Sequence, residues 1–191
     1  MDRVADHWSA PKNLGTPVNS TGNEWYPTIA ADGTIYFGSD RPGGRGMTDL
    51  YRCRYVNGKY ENPQNLGDVI NTQFDEFEPY ISRDQTYLIF MAGGRSDSLG
   101  GFDLYISYNR NGEWTKPVNL GSKINSPANE FSPGVSPDGK YFFWSSTREI
   151  EREPLQTPLN YAQLIKKIRS PGNGLGDIYQ IELRVLDLGL N

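Results

Sequence analysis

Short apolar runs bounded by turn residues recur along the chain. TIYFGS, TYLIFMAGG and KYFFWSS each follow an aspartate-containing turn, and DLYRCRYV ends at an Asn-Gly step. Runs of this length that are rich in aromatic and β-branched residues predict strands, and the Asp-Gly and Asn-Gly steps predict hairpin turns. The pattern therefore predicts an all-β chain of many short strands.

One unit occurs three times. WSAPKNLGTPVN, starting at Trp8, returns as YENPQNLGDVIN at Tyr60 and as WTKPVNLGSKIN at Trp114, at steps of 52 and 54 residues. Each copy continues with EWYP, EFEP or EFSP, then a turn, a hydrophobic run ending in arginine, and an Asp-aliphatic-Tyr strand. Four short strands per unit predict a β-propeller with three four-stranded blades. The blades are assigned to residues 16–67, 68–121 and 122–184, with a closure strand at 8–15.

The repeat resembles a known family. The strings W-x-x-P-x-N-L-G, S-P-D-G-K-Y-F-F-W-S-S-T-R and G-D-I-Y are similar to the TolB-type, WD-like β-propeller repeat of bacterial envelope proteins, some of which are fused to OmpA-type domains. The resemblance covers residues 8–184. It implies a propeller fold and a periplasmic or cell-envelope location. It implies no particular activity, because such propellers serve as scaffolds, binding modules and enzyme appendages. The second copy departs from the pattern with Asp84-Gln85 in place of Asp-Gly, and the third carries an insertion.

Composition and charge exclude several classes of protein. The 21 glycines and 13 prolines among 191 residues fit a chain with many turns, and the net charge of -4 argues against a nucleic-acid partner. The single cysteine, Cys53, rules out an intrachain disulfide framework and is expected to be buried in a strand. The given chain contains no stretch with the apolar length of a signal peptide or a membrane span, so no membrane insertion is expected.

Three blades pose a problem of closure, because propellers typically have four to eight blades. The chain opens with a fourth-strand motif at residues 8–14 and closes with a third strand, DIYQIEL, that no fourth-strand motif follows. Two interpretations remain open. Either two chains form a head-to-tail homodimer with six blades, or the chain is part of a longer propeller.

Residues that recur in every copy are interpreted as structural. The aromatic residues that open each fourth-strand motif are expected to wedge between neighbouring blades. The asparagine of each N-L-G motif is expected to support the turn. These two sets are Trp8, Tyr60 and Trp114, and Asn13, Asn65 and Asn119.

Three charged triplets form the candidate ligand-binding site. The loops that carry them emerge on one face of a propeller, so their nine charges are expected to gather near one mouth of the channel. Two interpretations are kept: an Arg-carboxylate network that braces each blade, or a ring of alternating charge that binds a polar ligand. The triplets are Glu24, Arg41 and Asp49; Glu76, Arg95 and Asp103; and Glu130, Arg148 and Asp177.

The insertion at residues 149–173 departs most from the repeat. Its YAQLIKKI core has the helical apolar spacing of Tyr161, Leu164, Ile165 and Ile168, with Asn160 as an N-cap. This predicts a short amphipathic helix. The helix either docks a partner or covers the mouth as a lid, or it only packs on the third blade.

Catalytic and metal-binding signals are sparse. His7 is the one histidine, so neither a Ser-His-Asp triad nor a histidine-rich metal site is expected, and the aspartates lack EF-hand spacing for calcium. No cofactor is expected. The favoured function is a non-enzymatic binding or scaffold module that engages a protein partner or a cell-wall glycan through its loop-rich face. The alternative is a carbohydrate-active or peptide-processing hydrolase, or the propeller part of one, that uses carboxylates at the channel mouth.

Overall fold

The described part of the chain is mostly β with one short α-helix, which confirms the all-β class predicted from the sequence. The computed structural model describes residues 3–150 and 157–186. Its strands pair in antiparallel fashion in three large sheets and two small hairpins. The first hairpin joins β1 (Arg3–Val4) to β2 (His7–Trp8).

Each repeat contributes one sheet. The first repeat contains β3 (Glu24–Ile29), β4 (Ile35–Ser39), β5 (Asp49–Cys53), β6 (Tyr55–Val56), β7 (Lys59–Tyr60) and β8 (Gln64–Asn65). The second contains β9 (Glu76–Ile81), β10 (Tyr87–Gly93), β11 (Phe102–Arg110), β12 (Glu113–Trp114) and β13 (Val118–Asn119). The third contains β14 (Glu130–Val135), β15 (Tyr141–Ser146), α1 (Tyr161–Ile168) and β16 (Asp177–Glu182), followed by a 3-10 turn at Leu183–Leu186.

The sheets share one strand order. Sheet 1 runs β3-β4-β5-β8, and sheet 2 runs β9-β10-β11 with β12 and β13 both on the outer side of β11. Sheet 3 stops at three strands, β14-β15-β16, within the described residues. Among residues 3–150 and 157–186, the outer edge of β16 therefore has no counterpart of the fourth strand that the other two sheets have.

The sheets pack face to face in chain order. Tyr36 and Leu50 of sheet 1 pack with Leu88, Phe90 and Tyr105 of sheet 2 in one buried cluster. The other face of sheet 2 packs on Phe142 and Trp144 of sheet 3 in a second cluster. Parallel bridges Thr48↔Asp75 and Phe102↔Asn129 hold the same ends of neighbouring sheets together. Corresponding residues of the three repeats therefore lie on one side of the packed sheets, at the same ends of their strands. We call this side one end of the stack.

The fourth strand differs from the sequence-based expectation. Four strands per unit require one strand through the motif that starts at Tyr60, but Lys59–Tyr60 pairs back on Tyr55–Val56 and only Gln64–Asn65 joins β5. Pro63 lies between the two pieces. Since proline lacks the N–H that a ladder needs, it separates the pieces.

The recurring aromatic residues are packed in two of the three copies. Trp114 lies edge-on to Tyr36 at 6.3 Å between ring centroids, and Tyr60 packs against the cluster that contains Cys53. Cys53 is buried as expected, and burial raises the pKa of its thiol to about 11. Trp8, in contrast, is 65% exposed, so the expected burial is wrong for Trp8 within the single chain.

The second repeat has Gln85 where the hairpin turns of the other two repeats have glycine, and the structure shows how the turn accommodates it. Gln85 has a φ of 58°, close to the left-handed backbone of Gly139 in the third repeat at 70°. Its side chain accepts a hydrogen bond from the Tyr36 hydroxyl at 2.9 Å and donates one to Asp32 at 2.8 Å. These bonds between repeats offset the strain that a non-glycine residue meets in this conformation.

Asp32 gives this turn a predictable pH dependence. Partial burial by itself would raise the pKa of Asp32, but hydrogen bonds from Thr34 and Gln85 outweigh it and lower the pKa. The contribution of Asp32 to stability is therefore present above the unfolded-state pKa of about 3.9 and is lost as the pH falls through the lower folded-state pKa. We expect Asp32→Asn to lose less stability than the wild type between pH 5 and pH 2, measured by urea unfolding. Asp32→Ala, which removes the hydrogen bonds at every pH, is the comparison, and equal acid losses in wild type and Asp32→Asn would contradict the assignment.

Candidate functional site

An arginine at the end of the second strand braces each repeat. Arg41 donates to Glu24 at 3.0 Å, Arg95 to Glu76 at 2.9 Å, and Arg148 to Glu130 at 3.2 Å. Each arginine also donates to a backbone carbonyl in the loop before the first strand, at Val18, Ile70 and Ile124 respectively. We call these three Arg–Glu pairs the arginine clamps.

Each clamp lies on aromatic rings. The guanidinium of Arg95 is 5.5 Å from the Phe90 ring centroid and 5.1 Å from that of Tyr105. Arg41 covers Phe37 and Tyr51, and Arg148 covers Trp144 and Tyr179, in the same manner. A cation over an aromatic face adds electrostatic attraction to the ion pair. The clamps therefore tie the first strand, the second strand and the preceding loop of each repeat together.

The glutamates of the clamps are fully engaged. Glu76 accepts hydrogen bonds from the Thr72 N–H at 2.9 Å and its hydroxyl at 2.8 Å in addition to the ion pair with Arg95. Glu130 accepts equivalent bonds from Ser126, and also one from the Ser146 hydroxyl at 2.6 Å. Burial raises the pKa of Glu76, while the Thr72 bonds and the charge of Arg95 oppose the increase. These carboxylates therefore act as structural acceptors.

The aspartates of the triplets do not join the clamps. Asp49 accepts from the Arg45 and Gly46 N–H groups at 2.7 and 2.9 Å and from Asn65 at 2.6 Å. Asp103 repeats this arrangement with Leu99, Gly100 and Asn119. Asp177 accepts from the Gly172 N–H at 2.6 Å. The structure thus brings the nine charges to one end of the stack, but separates each triplet into an Arg–Glu pair and an aspartate that orders the next loop.

The same end of the stack carries exposed apolar side chains on its loops. These residues come from the loops of all three repeats and from the insertion, and we call them the loop surface. Its members are Met47, Phe74, Leu99, Ile150, Tyr161, Leu164, Ile168 and Leu175. Exposed apolar residues grouped on one side of a protein are typical of interaction sites.

Helix α1 forms as the sequence predicts. Asn160 caps it, and a capping box joins the Asn160 and Gln163 side chains to each other's backbone N–H. No α1 residue is buried: Tyr161 is 79% exposed, and Leu164 and Ile168 are also exposed. Ile165, the fourth apolar residue of the predicted spacing, is half-buried. Within the described residues the helix therefore leaves most of its apolar face, at Tyr161, Leu164 and Ile168, exposed to solvent.

The two ends of the insertion are held together. Glu149 bridges to Asn173, the Ile150 N–H donates to Gly172 at 3.1 Å, and Asn173 donates to the last turn of α1 at Ile168. Residues 151–156 of the insertion lie outside the described part of the chain. α1 is thus part of a loop closed at its base.

A further cluster lies at a position to which the sequence-based interpretation gave no role. The residue before the proline of each EWYP-type element is Tyr26, Glu78 or Ser132, and all three have left-handed φ angles of 48°, 49° and 54°. A register shift in each first strand produces this backbone. The Glu78 carboxylate accepts from the Ser132 hydroxyl at 3.1 Å and from its N–H, while the Tyr26 hydroxyl donates to Pro133 at 3.4 Å. Burial and then the charge of Glu78 raise the pKa of Tyr26.

This cluster could have been found from the repeats. Structural residues recur in each copy, so a position whose neighbours recur while it changes among tyrosine, glutamate and serine stands out. The three side chains meet only because of the way the sheets pack, and the sequence pattern does not reveal that packing. The cluster joins the first strands of all three repeats.

A groove of about 580 Å³ lies at the opposite end of the stack. It lies among the first hairpins of all three repeats, and Tyr80, Tyr87, Arg83 and Pro137 are among its lining residues. Burial raises the pKa of both tyrosines. The sequence analysis placed its candidate site at the other end and did not identify this groove.

Comparisons with known proteins add little. No family model matches the chain, and no curated protein does so. A solved structure with a similar arrangement is the α-L-arabinofuranosidase from Lactobacillus brevis, with 13% sequence identity and a TM-score of 0.43. The match covers 73% of this chain and 49% of that chain, so the chain spans about half the length of that enzyme. A likeness at this level carries no conclusion about activity.

Two further observations concern membrane spans and metal ligands. Among residues 3–150 and 157–186, no helix has the length and apolarity to cross a bilayer. The same residues contain no group of three or more histidine, cysteine, aspartate or glutamate side chains placed to hold a metal ion.

Proposed function

We propose that the chain is a non-enzymatic β-propeller binding module whose loop surface engages a protein partner. The observation that carries this proposal is the outward apolar face of α1, which is well capped yet unburied. Burying such side chains against a partner is the main source of favourable free energy in protein association. A cell-wall glycan is the other ligand class considered, and the apolar character of the loop surface favours a protein.

The propeller arrangement is supported by the sheets themselves. Three antiparallel sheets follow one another in the chain, each packs on the next through a buried cluster, and corresponding ends are aligned. Propeller blades are four-stranded sheets of this kind arranged around a channel. The proposed location in the bacterial cell envelope rests on the sequence resemblance alone.

The clamps argue against the hydrolase alternative. A general acid or base must be within reach of the substrate proton, whereas the Glu76 and Glu130 side chains are fully buried and bound to arginine. Asp49 and Asp103 are also buried and engaged by backbone N–H groups. Glycoside hydrolysis requires a pair of carboxyl groups that the substrate can reach, and these four buried carboxylates do not provide one.

A binding screen on peptide and glycan arrays tests the function. We expect the chain to bind peptides, and the double change Leu164→Asp with Ile168→Asp to weaken that binding by about tenfold or more, as for the loss of an apolar interface anchor. Both side chains are exposed, so the change leaves the fold intact, which circular dichroism checks.

Ala162→Asp is the control for each single change, because it adds one negative charge at an exposed position of α1 outside the row formed by Leu164 and Ile168. Removal of residues 150–173 is the larger change, and the bridge at Glu149 and Asn173 makes a short connection there feasible. Unchanged peptide binding after this removal would overturn the role of α1, and binding to glycans alone would overturn the protein partner.

A further inference from the structure

A hydrogen-bonded junction joins the third and fourth strands of the first repeat. Asn65 on β8 donates to Asp49 at the start of β5 at 2.6 Å. Asn71, six residues further on, accepts from the Leu50 N–H at 2.8 Å and donates to the Leu50 carbonyl at 3.0 Å. The two asparagines therefore hydrogen-bond to the first two residues of the third strand, Asp49 and Leu50. We call this set the Asp–Asn junction.

The second repeat forms the same junction. Asn119 donates to Asp103 at 2.7 Å, and Asn125 accepts from the Leu104 N–H at 2.8 Å and donates to its carbonyl at 2.9 Å. The side chains of Leu50 and Leu104 are both fully buried, each in the cluster between its own sheet and the next one. The same hydrogen bonds therefore occur in both repeats whose sheet has a fourth strand.

The third repeat has only the acceptor half of a junction. Asp177 occupies the position of Asp49 at the start of β16 and accepts from a loop N–H as the other aspartates do. Ile178, in the position of the buried leucines, is 81% exposed. No strand among the described residues pairs with the outer edge of β16.

The N-terminal segment has the donor half. The Asn13 side-chain oxygen accepts from the Gly15 N–H at 2.7 Å and from Asn19 at 2.8 Å. In the complete junctions Asn65 and Asn119 accept from the equivalent glycine and asparagine, all at 2.8 or 2.9 Å. The asparagine pair is therefore already arranged as in a junction, although no aspartate among the described residues accepts from Asn13.

Exposed apolar side chains occur at the same two places, the N-terminal segment and the outer face of sheet 3. Leu14 and Trp8 are exposed, whereas their counterparts in the second repeat, Leu120 and Trp114, pack against the buried clusters. On sheet 3, Tyr141 is exposed on the face that also carries Ile178. Both halves therefore leave exposed the apolar side chains whose counterparts are buried where one sheet packs on the next.

The two halves are not paired with each other within the described residues. Sheets 1 and 3 pack on opposite faces of sheet 2, and β16 pairs only with β15 within the described residues. A second copy supplies the missing half with matching chemistry, because it carries the asparagine pair where the first copy carries the aspartate.

We propose that residues 8–14 of a second copy of this chain pair with β16, so that Asn13 donates to Asp177 and Asn19 binds the backbone of Ile178. The second copy receives the same segment from the first, which gives a closed dimer with two-fold symmetry and six sheets. Pairing also covers the β16 edge, which an exposed strand otherwise offers to other chains. This dimer rests on the proposed propeller arrangement but is independent of what the loop surface binds.

Solution mass is the first test. At concentrations from about 0.5 to 50 µM, where mass action would reveal a dimer of ordinary affinity, we expect sedimentation analysis to give twice the 21.5 kDa of one chain. A single-chain mass over the whole range would overturn the proposal, whatever the peptide arrays show.

Variants identify the surface. Ile178→Asp is expected to raise the dissociation constant of the dimer by roughly tenfold or more, since it places a charge in the centre of the contact. Val118→Asp is the matched control, because Val118 is also exposed on an outer strand but belongs to the complete second junction. A dimer that resists Ile178→Asp as well as Val118→Asp would use another surface, and the proposal would be wrong.

Disulfide trapping tests the atomic pairing. A chain with Asn13→Cys is mixed with a chain carrying Asp177→Cys in a glutathione redox buffer, where side chains adjacent in the junction can form a disulfide. We expect a covalent dimer on a non-reducing gel from the mixture and not from either variant alone. Cys53 is buried and does not compete. A chain with both changes that instead yields a cross-linked monomer would show closure within one chain and overturn the dimer.

Discussion

Replacing Arg95 by methionine is expected to lower the free energy of unfolding by about 3–5 kcal/mol at pH 8, because it leaves the buried Glu76 carboxylate without its cation. The Glu76 side chain is fully buried and Arg95 is 2.9 Å from it. Methionine retains the unbranched apolar stem of arginine but removes the guanidinium, which pairs with Glu76, lies over Phe90 and Tyr105 and donates to the Ile70 carbonyl. Urea unfolding followed by tryptophan fluorescence measures it.

The pH dependence of Arg95→Met separates charge from packing. Burial already raises the pKa of Glu76, and removal of the cation is expected to raise it further. A raised folded-state pKa contributes stability below the unfolded-state pKa of about 4.3 and loses it as the pH rises through the folded-state pKa. The cost of the substitution should therefore grow from pH 4 to pH 8.

A surface ion pair gives the control for this substitution. Arg54→Met removes the partner of Glu61 at 2.8 Å, but both side chains are largely exposed, so we expect a loss of about 1 kcal/mol or less. If Arg95→Met costs the same at pH 4 and pH 8, lost aromatic packing and not the buried carboxylate would explain its effect.

Asn71→Ala is expected to cost about 2–3 kcal/mol, the second large effect. Asn71 is fully buried and bonds both the N–H and the carbonyl of Leu50. Alanine leaves the buried Leu50 N–H without a partner, and an unsatisfied buried donor carries its full desolvation cost. Denaturant midpoints at constant m-value give the measurement.

Asn62→Ala provides the matched control for the junction. It makes the same chemical change at an exposed asparagine only nine positions earlier, and we expect an effect within about 0.5 kcal/mol. Similar costs at Asn62 and Asn71 would show that the buried hydrogen bonds of the junction contribute little to stability.

Arg95 and Asp103 show which contacts of the charged triplets the sequence could predict and which it could not. Both recur in each copy, and the sequence places both at one end of the sheets. The sequence could indicate that an arginine would find a carboxylate, but not which one, because a glutamate and an aspartate both recur with it in each copy and both are expected at the same end of the strands. Packing decided that glutamate faces arginine, while the aspartate turns to loop N–H groups and to asparagine.

The helix and the left-handed cluster show a similar division. The bounds of α1 follow from its local sequence, since a cap and a four-residue apolar spacing act within one turn. Tyr26, Glu78 and Ser132 are more than fifty residues apart in the chain. Their meeting depends on a bulge in each first strand and on the stacking of three sheets.

The sequence by itself determined the repeat, the strands, the turns and the capped helix, because each depends on side chains that are close along the chain. The tertiary structure decided which polar groups are satisfied and which are left over, because that depends on contacts between sheets. Two complete Asp–Asn junctions show what a finished repeat requires. The exposed Ile178 and the prearranged Asn13 are the parts that stacking three sheets leaves at the two ends of the molecule.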